Sequence, residues 1–172
     1  QHTLTAAAVA GAVAPAASAA KAKSKRPFQC KYGPHFGMFK AHAGDDLIAQ
    51  LDFMAAQGFT ALEDNELMKR PADVQERIGA TLAKHGMTMG VFVIDGGDNW
   101  KTSLTTGKAE FRDKFLATCR TAVDVAKRVN AKWATVVPGY FERKVPIGIQ
   151  TGNVIDILRA GAAILEPANL VM

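Results

Sequence analysis

Cysteine is scarce in this sequence. There are two, Cys30 and Cys119, too few for a disulfide framework and without metal-ligand spacing. Both are expected to be small core residues, Cys30 in a strand and Cys119 on the apolar stripe of a helix. Acidic residues are absent from the first 26 positions, which carry Lys21, Lys23, Lys25 and Arg26. Taking those four from the 21 basic residues leaves 17 against 16 acidic ones, so the net +5 reduces to +1 over the rest of the chain. A near-neutral body excludes the basic stripe that a nucleic-acid face needs, and the Lys-Ser-Lys-Arg cluster is expected to be a solvated linker. A glycine-rich phosphate loop is also missing: Gly33-Pro34-His35-Phe36-Gly37 closes a strand and does not cradle a phosphate.

Long runs rich in Leu, Ile and Phe are missing as well. The most uniform stretch, residues 4–20, is mostly Ala, Val, Gly, Thr and Ser, too short and too weakly apolar for a membrane span. Ending in Ala17-Ser18-Ala19, it has the form of a secretory signal with its cleavage site. Modest hydrophobicity followed by basic residues resembles twin-arginine export signals, although the twin-arginine motif and a charged n-region are not in view. The expectation is an exported, periplasmic protein without a stable membrane anchor, since no Cys follows the cleavage site. Residues 1–26 are then an export-signal remnant plus basic linker, and 27–172 the folded domain.

That domain alternates strand-like and helix-like stretches. Strands are expected at Phe28–Phe36, Phe59–Glu63, Met87–Ile94 and Trp133–Pro138, and a fifth opens at Leu170–Met172. The third is an almost unbroken apolar run, as in a strand covered on both faces. The first helix carries Leu47, Ile48, Leu51, Met54 and Ala55 at helical spacing, capped by Asp45 or Asp46 and ended at Gly58. The second follows Pro71, with Val74, Ile78 and Leu82, and ends at Gly86. Phe111, Phe115, Cys119, Ala122, Ala126 and Val129 form the third stripe, stopped by Asn130. The fourth has Val154, Ile155, Leu158, Ala162 and Leu165.

Four β-α units and the start of a fifth strand imply parallel strands with right-handed crossovers. The turns from helix to strand are short and the loops from strand to helix long, which puts the working face at the C-terminal strand ends. The fold class expected is α/β, a partial TIM (β/α)8 barrel, in preference to a doubly wound sheet, which would want a phosphate loop after strand one. With 172 residues against about 250 for a whole barrel, the first residue Gln1 and the strand-like last residues, the expectation is the N-terminal half of a longer domain. Half a barrel leaves two open parallel edges, which makes a homo-oligomer possible.

Gly58-Phe59-Thr60-Ala61-Leu62-Glu63 is similar to the Gly-Phe-x-x-hydrophobic-Glu pattern of xylose isomerase-like TIM barrels. Gln150 to Ile155, Ala163 to Pro167 and Leu170-Val171-Met172 resemble the matching parts of the hydroxypyruvate isomerase-like branch. The resemblance runs from about residue 29 to the end. It implies an isomerase or epimerase acting on a small sugar or hydroxy-keto acid, in which a divalent metal polarises a hydroxy-ketone and acidic side chains move a proton between adjacent carbons. In that family the metal carboxylates end strands five to eight, so catalytic residues are expected beyond Met172. No metal ligand carries over, and this chain alone is expected to bind no metal and to be inactive.

The candidate substrate-binding residues stand at strand ends. His35 closes strand one and points to the mouth in a barrel. Glu63 closes strand two, within the polar run Glu63-Asp64-Asn65-Glu66, and occupies the position the resemblance marks. Asp95 closes strand three. Trp100, in the loop after it, can offer an aromatic wall to a sugar, and Tyr140 lies in the loop beyond strand four, near Glu142. Against function, the polar run could hold a carboxylate paired with a buried Arg or Lys, or be simply a solvated loop, and Trp100 could simply pin its loop. Asp45 and Asp46 are read as caps, and His42 and His85 as surface residues.

Two other functions are compatible with the scaffold. A non-catalytic exported barrel could bind sugar without turning it over. An apurinic endonuclease-like barrel would want zinc histidines at strand ends three and four, where this chain has Ile94-Asp95 and Val137-Pro138, and a basic face that a charge of +1 does not supply.

Overall fold

The computed structural model describes residues 28–172, so the expected export segment and linker lie outside the described residues. Local chemistry sets the helix boundaries. The Asp46 carboxylate accepts the Ala49 N–H at 2.8 Å, satisfying an open donor in the first turn of α2 (Leu47–Ala56). Asp45 instead pairs with Lys40 at 2.7 Å, in the short α1 (Lys40–Ala43). Pro71 precedes α3 (Ala72–His85), which ends at Gly86 in the left-handed conformation, and α4 (Ala109–Val129) ends at Asn130, also left-handed at φ 51°. Gly and Asn are the residues that tolerate this turn. The last helix, α5, spans Ile147–Leu165.

The strands are short: β1 (Ala61–Leu62), β2 (Thr88–Met89), β3 (Val91–Val93) and β4 (Trp133–Thr135). β1 pairs with β2 and β3 with β4, all parallel. Parallel bridges from His35 to Glu63 and from Trp133 to Val171 extend the order at both sides. Five extended segments thus run parallel in chain order, with α2 to α5 as their crossovers, as expected of consecutive β-α units.

Burial alternates with period two along β3 and β4, while both residues of β1 are buried. Leu62, Phe92, Ala134 and Leu170 are buried among Leu51, Ile78, Leu82, Cys119 and Leu165 of the helices. Each large apolar side chain so covered contributes about 1.5–3 kcal/mol. The intervening residues are less covered: Trp133 and Val171 are each 52% exposed. The helix-facing side of the sheet is therefore the core, and the opposite side is open. Burial of Cys119 pushes its thiol up to about 11. None of the described helices is long and apolar enough to cross a membrane.

Several expectations need correction. The first strand, read over Phe28–Phe36, is reduced to the single bridge at His35, because Pro34 has no N–H for a ladder. The segment is held instead by rings, with Phe28 packed on Phe59 at 4.9 Å. Cys30, in this unpaired stretch, is exposed and not a core residue. The third strand is split at Gly90 into β2, laddered to β1, and β3, laddered to β4, although Gly90 N–H still donates to the Leu62 carbonyl at 2.8 Å and the Val91 carbonyl accepts from Asp64 N–H at 3.3 Å. The fourth stops at Thr135 and the fifth is one bridge at Val171. His42 is exposed but stacks on Phe53 at 5.3 Å. His85 is half-buried, not a free surface residue, with Nε2 2.5 Å from the Asp52 carboxylate.

Candidate functional site

Successive residues of an extended chain point to opposite sides, and at the end of β1 this separates two carboxylates. Glu63 turns toward the first segment. Its N–H donates to the Pro34 carbonyl at 3.1 Å, and its Oε2 lies 3.3 Å from His35 Nε2. Both side chains are about one-third exposed, at 37% and 35%, so the pair is screened from bulk water yet open to a ligand. Glycines flank it: a Cβ at Gly33 or at Gly90 would come within 3.1 Å of Glu63 Cγ. The methylene stem of Glu63 therefore lies in a slot between two residues without side chains, which fixes where the carboxylate can go.

Asp64 turns the other way and is 3% exposed. Arg70 grips it with Nε on Oδ2 at 2.5 Å and Nη2 on Oδ1 at 3.0 Å. The Arg70 guanidinium also sits 5.1 Å from the centre of the Phe36 ring, a cation–π contact. Of the polar run at 63–66, then, Asp64 is the buried carboxylate paired with Arg, and Glu63 is the accessible one. Glu66 pairs with Lys69 at 2.9 Å, and this hydrogen bond holds the Lys69 ammonium above its ordinary range.

Asp95 stands apart from the His35–Glu63 pair. Its Oδ1 accepts the Gly97 N–H at 2.6 Å, closing a turn, and its Oδ2 is 4.0 Å from Lys69 Nζ. Trp100 and Tyr140 come together on the loops after β3 and β4. Their ring centres are 6.5 Å apart at 54°, with Trp100 71% and Tyr140 55% exposed. Below them, Tyr140 N–H donates to the Lys101 carbonyl at 2.8 Å and the Thr105 hydroxyl to the Tyr140 carbonyl at 2.7 Å. Ser103 donates to the Asp98 carbonyl at 3.1 Å. The two loops are thus tied backbone to backbone.

Buried Gln150 of α5 accepts the Glu142 N–H at 2.7 Å and donates to the Val145 carbonyl at 2.7 Å, fixing the second loop to the helix. Asp98 is clasped by Lys114 at 2.5 Å and Lys101 at 3.4 Å; the Lys114 hydrogen bond leads in holding its carboxyl below the ordinary range, against partial burial. These supports (Lys69, Lys114, Ser103, Thr105, Gln150) escaped sequence reasoning. The Thr-Ser-Leu-Thr-Thr run at 102–106 and a Gln on an apolar helix were the available signals.

The five candidates therefore form two pairs, His35 with Glu63 and Trp100 with Tyr140, and one residue committed to Lys69 and its own turn. A mostly apolar cleft of about 590 Å³ beside β4 and α5, lined by Ala134, Val136, Leu158, Ala162 and Met172 among others, has Arg159 as its one charged lining residue and no carboxylate. Among the described residues no group of three or more His, Cys, Asp or Glu side chains converges to hold a metal ion. His35 and Glu63 supply two donors, fewer than a divalent-metal set needs.

No protein-family model and no curated protein matches the chain. Solved structures do. An AP endonuclease, family 2, from Brucella melitensis superposes with TM-score 0.62 at 18% identity, over 81% of this chain and 52% of that one. A sugar phosphate isomerase/epimerase from Parabacteroides distasonis gives 0.56 at 13%, over 80% and 48%. The chain spans about half the length of these structures. At such identities the likeness shows the fold alone: an α/β arrangement matched over part of a TIM barrel.

Proposed function

We propose that this chain supplies part of the substrate site of a sugar isomerase or epimerase of the hydroxypyruvate isomerase-like branch, exported to the periplasm by its N-terminal segment. The observation that carries the reading is the His35–Glu63 pair, 3.3 Å apart at the strand ends and held between Gly33 and Gly90. An imidazole beside a carboxylate can orient a substrate hydroxyl and take or return a proton, the elementary need of a reaction that shifts hydrogen between adjacent carbons. A divalent metal, if the complete active site uses one, requires donors additional to this pair.

Calorimetric titration of the 172-residue chain with D-xylulose and hydroxypyruvate tests the reading. His35→Ala and Glu63→Gln are each expected to weaken binding of the accepted ligand about tenfold, the loss of one charge-assisted hydrogen bond. Turnover by this chain is expected to be nil with Mg²⁺ or Mn²⁺ added. Undiminished binding in both variants would remove the pair from the site.

A second reading, an apurinic endonuclease-like barrel, has the Brucella melitensis superposition behind it. Its difficulty is chemical: the ends of β3 and β4 offer Asp95 and Pro138 instead of zinc-binding histidines.

A further inference from the structure

We infer that Trp100 and Tyr140 form a stacking platform for the apolar face of a closed sugar ring, so that the ligand is a pyranose-type sugar and not a three-carbon hydroxy-keto acid. The inference rests on the sugar-site reading above and narrows its substrate class. Large aromatic side chains normally bury most of their surface, yet Trp100 is 71% exposed, Tyr140 55% and Phe141 57%. The backbone that carries them is not loose. Tyr140 N–H to the Lys101 carbonyl and Thr105 to the Tyr140 carbonyl tie the two loops, and Ser103 braces the first loop internally on the Asp98 carbonyl. A Cβ on Gly139 would run into the Lys101 carbonyl and the Ser103 hydroxyl, so the loops touch where Gly139 stands. Exposed rings on a stapled base incur little ordering entropy on binding, which suits recognition better than loop packing does.

The geometry also selects the mode. A ring held between two aromatic faces needs two carbon contacts of roughly 3.5–4.0 Å, or about 7–8 Å between parallel ring planes. Trp100 and Tyr140 are 6.5 Å apart and inclined at 54°, too close and too oblique for a sandwich. The sugar therefore lies on one face, the more exposed indole, with the phenol ring at its edge. The same loop carries two charged groups, the Lys101 ammonium, 65% exposed, and the Asp98 carboxylate it contacts at 3.4 Å, which are available to ring hydroxyls. A three-carbon acid has no contiguous C–H face to cover an indole, and its carboxylate would find Asp98 beside Lys101.

Ligand-observed saturation-transfer NMR on the full chain tests this. The probes are the methyl β-D-pyranosides of glucose, galactose and xylose, with hydroxypyruvate and a thymidine oligonucleotide as contrasts. The expected result is face-selective transfer, strongest at H1, H3 and H5 of a bound glucoside, with Trp100→Ala weakening binding at least tenfold and Tyr140→Ala a few-fold. Both residues are exposed, so neither substitution threatens folding. A pyranoside that binds equally well in Trp100→Ala overturns the platform. So does Trp100-dependent binding of hydroxypyruvate or the oligonucleotide with none of the pyranosides, and so does a failure of all three pyranosides to bind. Binding that depends on Trp100 but ignores His35→Ala and Glu63→Gln keeps the platform and removes the His35–Glu63 reading; the reverse dependence removes the platform alone.

Discussion

Asp64 and Glu63 are neighbours with opposite fates, and the difference can be measured. Asp64 is buried and gripped twice by Arg70, whose own side chain is 21% exposed. Removing one member of such a pair strands the other, and Asp64→Asn is expected to cost about 2–3 kcal/mol in urea unfolding, somewhat below a fully buried pair because Arg70 keeps some water. The double change Asp64→Leu with Arg70→Met should recover much of that loss, since neither charge is then stranded. A single-variant cost under about 0.5 kcal/mol would contradict the assignment of Asp64 to the scaffold. The run Glu-Asp-Asn-Glu announced in the sequence that carboxylates gather at this strand end. Which of them is accessible was not legible, because it depends on strand parity and on Arg70, six residues away. Trp100 and Tyr140 were likewise visible as candidates, but their meeting depends on hydrogen bonds from Ser103 to the Pro138 carbonyl and from Thr105 to the Tyr140 carbonyl that join distant loops.

Among the elements, α3 and α4 meet most closely at Gly79, where a Cβ would run into the Arg128 carbonyl. In an isolated helix Gly→Ala gains about 1 kcal/mol. Here the obstacle is backbone, which cannot rotate away, so Gly79→Ala is expected to be destabilising by about 2 kcal/mol net. Gly161 in α5 offers a control: its Cβ would meet Phe115 Cε1 at 2.8 Å, a ring that can shift, and Gly161→Ala should stay within about 1 kcal/mol of the parent. Equal urea midpoints for the two variants would show that the α3–α4 approach is soft. Helices such as α2 to α5 were legible because caps and stops are local: Asp46, Pro71, Gly86 and Asn130 act within a turn of where they stand. Strands were read too long because pairing is not local. Pro34 interrupts the first, and the third is split at Gly90 between a ladder to β1 and a ladder to β4, which only the positions of those two strands decide.

At the scale of the molecule, charge stabilises the fold through a few aspartates more than through the near-neutral balance of residues 27–172. Asp45, Asp52 and Asp98 all have carboxyls held below the ordinary range, chiefly by hydrogen bonds from Lys40, His85 and Lys114 respectively. These contacts tie α1 to the cap of α2, α2 to the end of α3, and the loop after β3 to α4. A carboxyl whose pKa is depressed on folding adds stability that is fully present above its unfolded value and is lost as pH falls through the folded value. The thermal midpoint should therefore receive a constant contribution from the lysine-paired Asp45 and Asp98 between pH 5 and 7, and fall once pH drops below about 4, the ordinary range for Asp. The three are not equivalent. The Asp45 side chain is 86% exposed and that of Asp98 19%, so salt screens the first far more than the last. Melting curves from pH 6 to 3 in 1 M NaCl should retain an acid-sensitive component that Asp98→Asn flattens and Asp45→Asn leaves in place. Identical acid slopes for the parent and Asp98→Asn would show that the Lys114 clasp does not hold the loop carrying Trp100 to α4.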